Sequence, residues 1–214
     1  MFRSTMRRVA SAVFASAMLA GGLAVGSGTA AANQDTTSGP AVSKSFENID
    51  VLKGAAGQPG TTLYVAPGEE FTIHNSFRVQ DGDERILTRI TDHAPAGLEY
   101  VPGSAKLAIV GGDPNVPYLS YEVIPTTPEV GSGTVSVVAP GAGWSVAPGA
   151  GHGWIEFRVT YRVPQSAQIG AVFDTGVTFD VAGHEGGLGW NPIGLSVAIA
   201  AGSGSSDGFG SSGQ

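Results

Sequence analysis

The sequence contains no cysteine. This excludes disulfide staples, thiolate metal centres, cysteine nucleophiles and a lipid-modified cysteine. Charged residues are scarce at 14%, and basic ones are the scarcer kind, with 11 Lys+Arg against 18 Asp+Glu. No basic run offsets the acidic excess, so the chain would repel nucleic-acid phosphates and no nucleic-acid partner is expected. The four histidines, at positions 74, 93, 152 and 184, fall at no zinc-ligand spacing. Nothing sets a serine nucleophile on a strand-to-helix elbow beside a histidine and an acid. The chain is therefore expected to be non-catalytic and to carry no cofactor. Helical periodicity is missing after residue 32, as is any unbroken apolar run of about 20 residues, the length a membrane helix needs.

What is present begins with an export pattern. Arg3, Arg7 and Arg8 precede an apolar stretch from Val9 to Val25, broken by Gly21-Gly22 and followed by Ala30-Ala31-Ala32. These are the three parts of a secretory signal peptide, expected over residues 1–32 with Asn33 as the first mature residue. Its removal takes away three Arg and no acid, leaving net −10 over 182 residues. Residues 33–45 are polar and without apolar period, so a disordered leader is expected there. Residues 202–214 (GSGSSDGFGSSGQ) read as a Gly/Ser-rich flexible tail. One domain remains, residues 46–201.

That domain is punctuated by Gly and Pro in the manner of an all-β fold. Its clearest strand is Trp154–Val163, where Ile155, Phe157, Val159, Tyr161 and Val163 alternate with Glu156, Arg158, Thr160 and Arg162. Such alternation means one buried and one wet face. Further strands are expected over Thr62–Val65, Glu70–Val79, Glu84–Asp92, Ala105–Val110, Leu119–Ile124, Thr134–Val138, Ala171–Val181 and Ile193–Ala200. Eight or nine short strands with regular turn signals predict an immunoglobulin-like antiparallel β-sandwich.

The most distinctive block follows the strand that ends at Asp92. Thr91, Asp92, Pro95, Gly97, Leu98, Tyr100, Val101, Gly103 and Ser104 fit the pattern Thr-Asp-x-x-Pro-x-Gly-Leu-x-aromatic-Val-x-Gly-Ser. In this block the chain resembles the bacterial surface-repeat family named domain of unknown function eleven. The resemblance implies a secreted immunoglobulin-like sandwich of the bacterial envelope and supplies neither a reaction nor a ligand. Here a single copy is present, His93 stands where the family has an apolar residue, and Asp174 where Asn is common.

Three sets of residues are candidates for chemistry. Asp81, Asp83 and Glu84 could offer carboxylates to calcium, although Asp81-Gly82 is also an ordinary hairpin turn. Asp92, with Pro95, Gly97 and Gly103, reads as a structural turn in which the carboxylate accepts backbone N–H bonds. Its rival role is the buried acid of an intramolecular Lys–Asn isopeptide bond, with Lys53 or Lys106 as the amine. Trp144 and Trp190 lie in Gly-rich contexts and Tyr118 lies near a strand, so exposed rings could stack on an envelope polysaccharide or a surface protein.

The leading expectation is a secreted structural or adhesive protein of the cell surface, with the oligomeric state left open. A soluble ligand-binding module using those aromatics is the alternative. A membrane β-pore is a third reading, with residues 154–163 and 171–181 near the roughly nine to eleven residues that a spanning strand needs.

Overall fold

Period-two alternation does become strand in the computed structural model, which describes residues 39–111, 121–149, 153–184 and 186–202. The expected signal peptide, the tail beyond residue 202, Tyr118 and His152 lie outside these residues. All regular structure among the described residues is β.

Two sheets face each other. The first runs β1 (Ala41–Phe46), β2 (Ile49–Ala55), β4 (Glu70–Val79), β12 (Trp154–Arg162), β7 (Lys106–Val110) and β8 (Tyr121–Ile124), with β6 (Glu99–Tyr100) also on β12. The second runs β15 (Leu188–Trp190), β14 (Gly176–Val181), β5 (Arg85–His93), β10 (Thr134–Val138) and β9 (Glu129–Gly131), with β11 (Trp144–Val146) also on β5. A small third sheet joins β13 (Val172–Asp174), β16 (Ser196–Ile199) and β3 (Thr62–Val65). Among the named strands, every pairing is antiparallel except that of β16 with β3.

The core lies between the two larger sheets. Ile73, Phe77, Leu107, Phe157 and Val159 enter it from the first, and Leu87, Ile90, Val135, Val137, Val177 and Phe179 from the second. Phe77 and Phe179 meet edge to face across the gap, with ring centroids 5.2 Å apart. Each such fully buried side chain contributes about 1.5–3 kcal/mol of hydrophobic stabilisation. That is the architecture of a β-sandwich, with apolar residues inside and Arg158 and Arg162 on the outer face. A membrane pore would need the reverse polarity.

Several boundaries differ from the sequence expectation. Residues 41–45 are not a disordered leader: they belong to β1, which pairs with β2 from Ala41↔Gly54 to Phe46↔Ile49. Polar composition masks the apolar positions Val42 and Phe46, which pack against the core. Between them Lys44 places its ammonium 5.7 Å from the centroid of the Trp190 ring. The strand expected over residues 171–181 breaks at Thr175, whose backbone N–H and hydroxyl both donate to the Leu195 carbonyl. β13 thereby leaves for the third sheet while β14 stays in the second. The wet face of β12 also holds an exception, since Glu156 is buried there between His74 and Arg158.

Candidate functional site

Four polar side chains meet inside this sandwich. On β4, Phe71, Ile73, Asn75, Phe77 and Val79 share the inward face, so Asn75 interrupts an apolar row. Lys53 does the same on β2 among Ile49, Val51 and Ala55, and it lies directly opposite Asn75 in the strand register. Asp92 points inward from the end of β5, and Tyr161 inward from β12. All four are sealed from solvent at 0% exposure.

The Asp92 carboxylate is the hub. Its Oδ1 accepts hydrogen bonds from Lys53 Nζ and from Asn75 Nδ2, the latter at 2.8 Å. Its Oδ2 accepts from the Tyr161 hydroxyl at 2.6 Å. Lys53 Nζ also donates to the Gly176 carbonyl of β14 at 2.8 Å, so the amine is anchored to the second sheet at two points. Burial pushes the Lys53 ammonium below its ordinary value, and the Asp92 charge and hydrogen bond only partly oppose this. Burial, and then the neighbouring Asp92 carboxylate, push the Tyr161 hydroxyl far above its ordinary value, so it stays protonated and donating. An ion pair so enclosed carries a desolvation penalty of several kcal/mol, roughly, for each ion. No external substrate reaches it.

Asp92 therefore faces the core rather than holding the turn that follows it. That turn is built from the backbone: Leu98 N–H donates to the Pro95 carbonyl at 3.2 Å, and Gly97 and Gly103 have φ of 79° and 77°. Ser104 fixes it to β12, its hydroxyl accepting from Thr160 N–H at 3.1 Å and donating to the Thr160 carbonyl at 3.3 Å. The neighbouring His93 points away from Asp92's cluster. Its Nε2 lies 2.9 Å from the Thr178 hydroxyl and its Nδ1 accepts from Asn191 Nδ2 at 3.2 Å. Burial lowers its pKa, ahead of the opposing pull of Asp92.

Of the two candidate amines, Lys53 is brought to Asp92 and Lys106 is exposed at the start of β7. Asn75 and Tyr161 were not singled out in the sequence. The available signal was a polar residue on the apolar face of an alternating strand.

The other candidates disperse. Trp144 is 6% exposed and belongs to the core, because β11 pairs with β5 in a register that turns the ring inward opposite Leu87. It offers no face to a sugar. Trp190 is half-buried against Phe179 and beneath Lys44. The two indoles do not form the paired exposed platform expected of them. Around Asp81, Asp83 and Glu84, Asn48 Nδ2 donates to the Asp81 and Asp83 backbone carbonyls at 2.7 and 3.0 Å, and Glu84 accepts from the Ser145 hydroxyl. Gly82, at φ 75°, completes a hairpin turn. Among the described residues no three His, Asp or Glu converge as a metal site would require.

No family model matches the chain, so the likeness to domain of unknown function eleven rests on the Thr91–Ser104 block alone. No curated protein matches it either. Solved structures similar in fold include a putative membrane anchored protein from Corynebacterium diphtheriae, at 10% identity and TM-score 0.44, covering 76% of this chain and 45% of that one. The major pilin subunit of Bacillus cereus, as a D312A variant, aligns at 12% identity and TM-score 0.48 over 72% of this chain and 41% of its own. A fragment of the major pilin GBS80 of Streptococcus agalactiae aligns at 13% identity and TM-score 0.44, covering 65% of this chain and 52% of that one. The chain thus spans about half or less of each of these structures, and the likeness is one of β-sandwich fold.

Proposed function

We propose that this protein is a secreted, non-catalytic β-sandwich with a structural or adhesive role at the bacterial cell surface. The observation that carries the reading is where the polar chemistry sits. Among the described residues, the cluster of amine, carboxylate, carboxamide and phenol is sealed in the core and unreachable by a substrate. It therefore serves the frame of the domain rather than a reaction on an outside molecule. The export pattern at residues 1–32 and the Thr91–Ser104 block support the address. The acidic surface suits a protein that stays soluble outside the cell. Partners on this reading are envelope polysaccharide or another surface protein.

Fractionation of producing cells into medium, wall and membrane tests the role. The expected result is retention in the wall fraction, with release only when the wall is digested. Recovery of all the protein free in the medium would remove the structural role.

A further inference from the structure

The buried cluster presents an amine to a carboxyl group under conditions that favour their condensation. Asp92 Oδ2 is held by the Tyr161 hydroxyl at 2.6 Å, and Oδ1 by Asn75 Nδ2 at 2.8 Å, so both carboxyl oxygens carry a donor besides the lysine. Lys53 Nζ is in contact with Oδ1 and is steadied by the Gly176 carbonyl at 2.8 Å. Water is excluded from all four side chains, each at 0% exposure. Burial also moves Lys53 toward the neutral, nucleophilic amine.

We infer that Lys53 and Asp92 form an intramolecular amide between Nζ and Cγ, joining β2 of the first sheet to β5 of the second. One proton passes from the Lys53 ammonium to Asp92 Oδ1, leaving a neutral amine and a carboxylic acid. The Nζ lone pair then adds to Cγ, and the charge that develops on Oδ2 is stabilised by the Tyr161 hydroxyl, which already points at that oxygen. A second proton moves from Nζ to Oδ1, the Cγ–Oδ1 bond breaks and water leaves. The third hydrogen remains on the amide nitrogen, and Oδ2 becomes the amide carbonyl, still accepting from Tyr161. Atoms and charge balance without oxidant or cofactor. The product replaces two buried charges with a neutral group, which removes the desolvation cost that opposes the ion pair.

This assignment differs from a Lys–Asn bond assisted by Asp92. Asn75 enters the cluster through Nδ2, as a donor to the oxygen that departs. Asp92 is itself the acyl group. The inference is independent of the surface role proposed above, because it concerns the domain's interior alone.

Mass spectrometry of the full chain, denatured and digested with trypsin, tests it. An amidated Lys53 resists cleavage, so peptide 45–78 stays whole and is joined to peptide 90–106, which carries Asp92. The expected product is this branched species, lighter than the sum of its parts by one water. The Lys53→Arg variant is expected to be cleaved at residue 53 and to yield peptides 45–53, 54–78 and 90–106 separately and at full mass, which excludes a succinimide as the source of the loss. Cleavage after Lys53 in the unaltered protein, giving peptides 45–53, 54–78 and 90–106 unlinked and at full mass, would overturn the inference. So would loss of one ammonia confined to peptide 45–78, since Asn75 lies within it and would then be the partner of Lys53.

Discussion

Replacing Trp144 separates a packing residue from a binding one. The ring is 6% exposed on β11, a strand of only three residues anchored to β5. An aromatic side chain of this kind buries about 150–250 Å², and about 25 cal/mol per Å² converts that to roughly 4–6 kcal/mol as an upper bound. Partial collapse of the site brings Trp144→Ala to about 3–5 kcal/mol of destabilisation. For a domain of this size that lowers Tm by about 6–20 °C. Trp144→Phe should behave differently. The buried Trp144 Nε1–H has no hydrogen-bond partner among the described residues, and removing an orphaned donor recovers about 1–3 kcal/mol of desolvation cost. That offsets most of the lost ring area, so the Phe variant is expected within about 1.5 kcal/mol of the original. Urea unfolding of the two variants measures both. An Ala variant as stable as the parent would refute the burial argument, and a Phe variant as damaged as the Ala one would refute the orphaned donor.

Other perturbations address other parts of the fold. Gly189 has φ 125° in β15, and a Cβ there would lie 2.2 Å from the Val177 carbonyl oxygen, so Gly189→Ala should cost more than about 3 kcal/mol in chemical denaturation. Gly97, at φ 79° with open space around it, should lose only about 1–2 kcal/mol on the same change. Burial would raise the Glu156 carboxyl, yet His74, 3.5 Å away, the hydrogen bond from Arg158 and the charges of both hold it below its ordinary value. Its stabilisation is thus present above the unfolded carboxyl pKa and lost as pH falls through the lower folded value, so Glu156→Gln should flatten the acid limb of a stability–pH curve. Asn48→Ala removes the ties to the Asp81 and Asp83 carbonyls and to Arg85, and should cost about 1–3 kcal/mol. Calcium should leave Tm unchanged in both the parent and this variant, by thermal melts with and without the ion.

The sandwich was legible wherever alternation ran undisturbed. β3, β4 and β10 match their expected bounds, and β12 ends one residue early. β2 escaped notice because Lys53 occupies one of its inward positions, which a pattern of apolar residues does not anticipate. β11 and β15 escaped because strands of three residues in glycine-rich stretches carry too little period to read. The same reasoning explains the site. Asp92 stood out through the turn motif beside it, but its partners come from strands 17 to 69 residues away. Only the register of β2 on β4, and the facing of the two sheets, brings them together. Trp144 was misread for the opposite reason: flanking glycines suggest a loop, whereas strand pairing sets the side-chain direction.

The parallel pairing of β16 with β3 bears on the order in which the chain assembles. Leu63 meets Val197 there, across most of the domain's length, and β14 supplies the Gly176 carbonyl to Lys53 from nearly as far along the chain. Contacts of such sequence separation make folding slow, because loop closure comes before any reward from burial. As the polypeptide grows from its N-terminus, β2, β4 and β5 are made long before β14 and β16. Lys53 and Asp92 must therefore wait in water until the last strands arrive. Closure of the domain and drying of its interior become one late event, set by the arrival of the C-terminal third.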